Sequence, residues 1–296
     1  MTTTAVDRLL ERVGAGENLS PAEVGELASA DILSVGMLAD SMRRRLRGTQ
    51  VSYVRVASCS YDASFADSVP LVAREVRVTG EPATIAVAES AVRSARAVAG
   101  ERTVSAFSWL DVERLAAAAN SPAGTVLDVL RAAGLDALAE FPLDVVDEAP
   151  RAMEALVHAG FRQIRLTIQS APASERTDLL LAAAALQEEF AAIQAVNPLP
   201  TVLHPGRPTT GYEDVRAVAI ARLAAPNIPT IQVDWTRYGP KLAQVALTFG
   251  ADDFDNVTAS DDAPDGRRRA PLEEVRRNIE AAGFTQVERD VRFSLV

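Results

Sequence analysis

His204, Asp144, Asp234 and Arg237 are the residues of this chain best suited to acid–base chemistry. His204 follows the run Leu199-Pro-Thr-Val-Leu203 and precedes Pro205. An imidazole there can serve as a general base, a metal ligand or a hydrogen-bonded strand end. In Asp234-Trp235-Thr236-Arg237 a carboxylate and a guanidinium flank an indole. That grouping either fixes a polar ligand over the ring or makes an internal ion pair. Asp252-Asp253-x-Asp255 has the look of a cation site, with turn chemistry the plainer reading. Arg43-Arg-Arg-Leu-Arg47 is either a phosphate patch or the solvated basic end of a helix. Lys241, the single lysine, is read as a surface residue rather than a Schiff-base former. His158 is read as solvent-facing, and Cys59, the one cysteine, as inert core. Two histidines and one cysteine make no metal cluster, so no metal is expected. There is no Gly-x-Ser-x-Gly, P-loop or Gly-x-Gly-x-x-Gly motif.

The elements that must position these residues alternate. Short β-branched runs occur at 51–56, 84–88, 103–107, 164–168 and 229–234. Helical patterns lie between them, at 89–99, 110–118, 124–133, 149–160, 174–190, 211–224 and 240–249. Such alternation specifies parallel strands joined by helical crossovers, with strands apolar on both faces. An α/β fold follows: a (β/α) barrel, complete or incomplete, with an open doubly wound sheet as the alternative. Residues 1–48 read as N-terminal helices, opened at Ser20-Pro-Ala-Glu23 by a capping box. Residues 49–256 read as the barrel. Residues 257–296 read as a mobile polar loop followed by a helix and a strand. In a parallel barrel chemistry sits at the C-terminal strand ends. The catalytic candidates there are His204, Asp144 and Asp234. Those for binding are Ser60, Tyr61, Ser108, Gln169, Arg207, Trp235, Arg237 and Tyr238.

At 296 residues, 48% of them apolar, the chain can bury a large core. A net charge of −10 disfavours nucleic acid and anionic membranes as partners. No apolar run reaches the roughly 20 residues of a membrane span. Met1-Thr-Thr-Thr-Ala5 lacks a basic, then apolar, leader, and one cysteine fits a reducing compartment, so a cytoplasmic protein is expected.

Several segments resemble one family. Val51–Val72 resembles the first barrel strand and cluster loop of a radical S-adenosylmethionine (SAM) enzyme. Thr209–Leu223, Trp235–Leu247 and Phe249-Gly-Ala-Asp-Asp-Phe-Asp255 resemble the menaquinone-pathway radical SAM enzymes. These are aminofutalosine synthase, dehypoxanthine futalosine cyclase and the F420-precursor (FO) synthase. Gln194–Pro205 and Ala106–Glu113 resemble the first of them, and the likeness runs over residues 15–295. It implies a barrel of radical SAM type with N-terminal helices.

The chain departs from that family where the chemistry lies. A C-x3-C-x2-C run holds the family's [4Fe–4S] cluster, and here the spacing reads Phe65-x3-Val69-x2-Val72. Phenylalanine and valine have no donor atom. A Gly-Gly turn near the SAM amino group, expected after the second strand, is absent from Ala86-Val-Ala-Glu-Ser90. A later Gly-Gly-Gly-Ala-Glu stretch is here Glu140-Phe-Pro-Leu-Asp144, whose bulk is expected to crowd the mouth. Neither cluster nor SAM is therefore expected as a cofactor. Two functions remain. One is a non-radical binding or partner protein in or near menaquinone biosynthesis, its partner a small polar metabolite or an authentic radical SAM homologue, in a homo- or heterodimer. The other is a re-purposed lyase, isomerase or hydrolase acting on a small polar or nucleoside-like substrate. An open polar mouth would favour the re-purposed enzyme, and one plugged by Phe65, Phe141 and Leu143 the partner protein.

Overall fold

The computed structural model describes residues 3–65, 69–202, 209–260 and 271–296. Three helices lead: α1 (Thr3–Gly14), α2 (Pro21–Leu27) and α3 (Ile32–Arg47). The capping box at Ser20 and Glu23 starts α2, and Asp31 caps α3 by accepting from the Ser34 amide at 3.0 Å. The basic end of α3 is divided: Arg44 and Arg45 are exposed, as expected of a solvated helix end, whereas Arg43 and Arg47 turn inward. Arg43 is buried and donates to the carbonyls of Ala251, Gly48 and Gln50 at 3.1, 2.9 and 2.8 Å. Its guanidinium lies 3.8 Å from the Phe284 ring centroid, and Arg47 pairs with Asp252 at 2.8 Å. These arginines fasten α3 beneath the barrel instead of facing water.

Eight parallel strands close the barrel: β1 (Gln50–Ser60), β2 (Glu75–Thr79), β3 (Thr103–Ser108), β4 (Ala137–Pro142), β5 (Ile164–Ile168), β6 (Ile193–Pro200), β7 (Thr230–Asp234) and β8 (Asp253–Thr258). Each pairs with the next, and β1 pairs with both β2 and β8, which excludes the open sheet. The crossovers carry α4 (Ile85–Ala99), α5 (Trp109–Ala118), α6 (Ala123–Ala132), α7 (Ala149–His158), α8 (Ala173–Phe190), α9 (Gly211–Ala224) and α10 (Trp235–Leu247). Helix α9, between α3, α8 and β6, is buried over most of its length. Helix α10 is interrupted at Gly239, whose φ of 77° only glycine adopts readily, followed by Pro240. After β8 come α11 (Pro271–Ala281) and β9 (Thr285–Glu288). One edge of β1 faces β8. The other takes β9 along Gln50–Tyr53 and then β2 along Val56–Ser60, so β9 completes the lower wall.

The strands are not uniformly apolar. Along β2, Glu75 and Arg77 meet charged partners across the barrel while Val76 and Val78 join the apolar core; along β8, Asp253 and Asp255 alternate with Phe254 in the same way. This alternation explains a misplacement. The run at 84–88 is not a strand: Thr84 caps α4, accepting from the Val87 amide, and the second strand is Glu75–Thr79. Strands β4, β6 and β8 also escaped the sequence reading. The expected loop at 257–271 falls mostly outside the described residues.

Candidate functional site

The inward charges form the floor of the barrel. Arg77 donates to both carboxylate oxygens of Asp255 at 2.9 and 3.1 Å and to Glu75 at 2.9 Å. Arg165 bonds Glu75 at 3.2 Å, and the Ser105 hydroxyl donates to the same carboxylate. Arg289, just beyond β9, grips both oxygens of Asp253 at 2.6 Å, with Ser52 and Gln232 completing that carboxylate. Three arginines thus face three acids in a nearly dry interior. The arginines hold Glu75 and Asp255 below the usual carboxylate range against the opposing effect of burial. Asp252 is buried separately against Arg222 at 2.8 Å and against Arg47. The acidic run at 252–255 is therefore neither a cation site nor a turn, because each acid has its own arginine. Among the described residues no group of three or more His, Cys, Asp or Glu side chains is placed to hold a metal.

Above the floor, at the C-terminal ends of β2–β6, lies a cavity of about 530 Å³. That is within the roughly 300–1,000 Å³ of small-molecule sites. Phe141 does not crowd it. Parity along β4 turns Glu140 and Pro142 to the mouth and Phe141 to the helices, where it packs on Trp109 at 6.1 Å. Leu143 joins the apolar core and does not line the cavity either. Strand β2 ends in Gly80, with φ of 95° and the Tyr61 ring against it; a Cβ there would stand 2.8 Å from that ring. The second strand thus runs into Thr79-Gly80-Glu81, upstream of Ala86-Val-Ala-Glu-Ser90, where a glycine turn was expected and is absent. Phe107, on the cavity wall, has φ of 57°, a conformation that costs a bulky residue about 1–3 kcal/mol.

The sequence-derived candidates separate into groups. Ser108, Gln169 and Arg237 line the cavity, and the Ser108 hydroxyl caps α5 in a capping box with Asp111. Tyr61 backs Gly80, and Ser60 bonds Asp62. Asp144 accepts from the amides of Gln169, Ser170 and Ala171 at 2.6, 2.8 and 2.8 Å, so its carboxylate fastens the loop after β5. Asp234 caps α10 through the Arg237 amide at 2.8 Å and accepts from Asn256. Burial, with Asp255 nearby, pushes the Asp234 carboxyl up. Arg237 reaches it only at 4.0 Å. The Trp235 indole is buried against Phe254 at 5.2 Å and does not line the cavity. The Tyr238 hydroxyl donates to the Pro200 carbonyl at 2.6 Å. His204 and Arg207 lie outside the described residues. His158 and Lys241 are exposed, and burial pushes the Cys59 thiol up.

Sequence reasoning missed Arg77, Glu81, Phe107 and Arg114, all on the cavity, and gave Glu140 no role there. The available signal for Glu140 was a lone carboxylate interrupting Ala137-Leu-Ala-Glu-Phe-Pro142.

Phe65, Val69 and Val72, which the resemblance sets against the family's cluster cysteines, do not fit an iron–sulfur cluster. Phe65 is buried in the main core, and Val69 and Val72 pack on Ala57, Ala73 and Ala259. None carries a donor, and the one thiol, Cys59, is buried within β1.

Residues 199–295 match the CofH/MqnC C-terminal region. The 5-amino-6-(D-ribitylamino)uracil–L-tyrosine 4-hydroxyphenyl transferase of Archaeoglobus fulgidus is 33% identical over 134 residues, 41% of this chain and 39% of that protein. The aminodeoxyfutalosine synthases of Streptomyces coelicolor and Thermus thermophilus are 33% and 36% identical over 93 residues each, 29% of this chain. These stretches span less than half the length of the curated relatives they match. The resemblance to the menaquinone-pathway radical SAM enzymes is thus upheld, and the family region matched is confined to the C-terminal third. Among solved structures, methylornithine synthase (PylB) superposes with a TM-score of 0.66 at 14% identity, covering 94% of this chain and 97% of that one. HydG, a maturase of the [FeFe]-hydrogenase, gives 0.67 at 12% identity, covering 97% and 76%. Both share the closed barrel of radical SAM type.

Proposed function

We propose that this chain is a non-radical relative of the menaquinone-pathway radical SAM enzymes that binds a small polar metabolite at its barrel mouth. The carrying observation is the pairing of donor-free Phe65, Val69 and Val72 with an open polar cavity over a sealed, charge-balanced floor. Reductive cleavage of SAM needs an electron from the cluster, and side chains without donors supply no cluster to deliver it. SAM is therefore not a cofactor in this reading.

The open mouth keeps the re-purposed enzyme as the second reading; binding is put first because both described carboxylates expected to act as catalysts are committed to backbone amides, Asp144 to three and Asp234 to a helix cap. The names of the relatives point to ring-bearing metabolites such as deoxyfutalosine derivatives, which suggests a place in or beside menaquinone biosynthesis. The test is a thermal-shift titration with SAM, 5′-deoxyadenosine, aminofutalosine and chorismate-derived acids. A ligand at 100 times its Kd adds about 2.7 kcal/mol and moves the midpoint by several degrees. A shift with a nucleoside or acid but not SAM supports the proposal. A shift with SAM alone overturns the cofactor reading. No shift sinks the cavity as a binding site and leaves a protein partner to be sought.

A further inference from the structure

The cavity also carries information on the charge of its ligand, an inference that rests on the mouth being a binding site. Its charged side chains fall into two sets. Every guanidinium already faces a carboxylate: Arg77 faces Glu75 and Asp255, Arg114 donates to Asp111 at 3.0 Å, and Arg237 lies 4.0 Å from Asp234. Asp111 is further engaged by the amide and hydroxyl of Ser108. Glu81 and Glu140, by contrast, have no hydrogen-bond or ion-pair partner among the described residues. Once the pairs are set aside, Glu81 and Glu140 are the carboxylates of the described lining that stand without a partner.

Of the two, Glu81 is exposed and water can solvate it, whereas Glu140 is half-buried on the wall between Ala139 and Pro142. A carboxylate drawn out of water without a partner costs free energy that a cation would return. Beside it stands the Gln169 side chain, likewise without a hydrogen-bond partner, and much of the remaining lining is apolar, including Val78, Phe107, Leu110 and Val202.

We infer that the mouth selects an organic cation, a protonated amine or guanidinium on a small apolar body, with the cationic nitrogen on Glu140. Calorimetric titration of the full chain with benzylamine, benzyl alcohol and phenylacetate tests this, because the three share a ring and differ in charge. Benzylamine is expected to bind about tenfold tighter than the other two, a difference of about 1.4 kcal/mol. The advantage should vanish in Glu140→Gln while the thermal midpoint stays unchanged. Benzyl alcohol binding as tightly as benzylamine, or an amine preference that survives Glu140→Gln, overturns the assignment and leaves the cavity standing. A preference for phenylacetate hands selection to the arginines and overturns it too. If none of the three binds and SAM, nucleosides and acids are also silent, the cavity reading fails together with this one.

Discussion

The floor and the mouth of this barrel handle charge in opposite ways. In the floor six ionised groups are almost dry, and each acid meets at least one arginine within 3.3 Å. In the mouth, a few residues further along the same strands, Glu81 and Glu140 stand without partners and Phe107 is held in a left-handed conformation. Burial at the floor is tolerable only because of the pairing. Openness at the mouth lets groups stay unpaired. The lower half of the barrel is a closed network of ion pairs, while the upper half carries backbone strain and unpartnered polar groups.

The contrast can be broken most severely at the floor. Arg289→Met should strand the Asp253 carboxylate and cost about 3–5 kcal/mol of stability, read from urea unfolding. Adding Asp253→Leu should return most of that loss, and a double variant no better than the single would show that packing, not charge, sets the cost. Acid should act on the same region. Glu75 and Asp255 titrate below their unfolded values, so their stabilisation is present above the unfolded carboxylate range and is lost as pH falls towards the folded pKa. Asp234 is shifted upward, so its contribution has the opposite sign and weakens as pH rises through the interval between its unfolded and folded pKa. Unfolding free energies between neutral pH and pH 3 should fall towards acid, and Glu75→Gln should flatten that slope. At the boundary between the regions, Asp144→Ala removes three charge-assisted bonds. It should cost about 2–3 kcal/mol and expose the segment after β5 to protease. The mildest change is Glu140→Gln at the mouth, expected within about 0.5 kcal/mol of the parent by the same urea assay. A larger loss would mean that Glu140 is structural.

The same division decided what the sequence disclosed. Helices were legible because helical patterning and caps are local: the Ser20–Glu23 capping box starts α2 where the sequence placed it. Strands β1, β3, β5 and β7 were visible as β-branched runs. Strand β2 was not, because Glu75 and Arg77 interrupt the apolar pattern for a reason that appears only when Asp255 and Arg165 arrive from elsewhere in the chain. Strand β6 carries two prolines and an asparagine, and β4 is rich in alanine, so both defeat β-propensity. Among site residues the strand-end positions of Ser108 and Gln169 were readable. The engagement of Asp144 by three amides was not, because those donors lie on a loop 25–27 residues away.

Strand β9 has a consequence for how the chain is made. It completes the lower wall beside β1, the first strand, and sets Arg289 against Asp253. A ribosome delivers the N-terminal strands first. Until residue 289 has emerged, the nascent floor holds three acids against two arginines, and β1 has an open edge where β9 will lie. Charge balance in the floor is therefore a late event in synthesis, coupled to the arrival of a single cation. A truncated chain lacking it would present an unbalanced charge and a bare strand edge, a ready template for pairing with another chain.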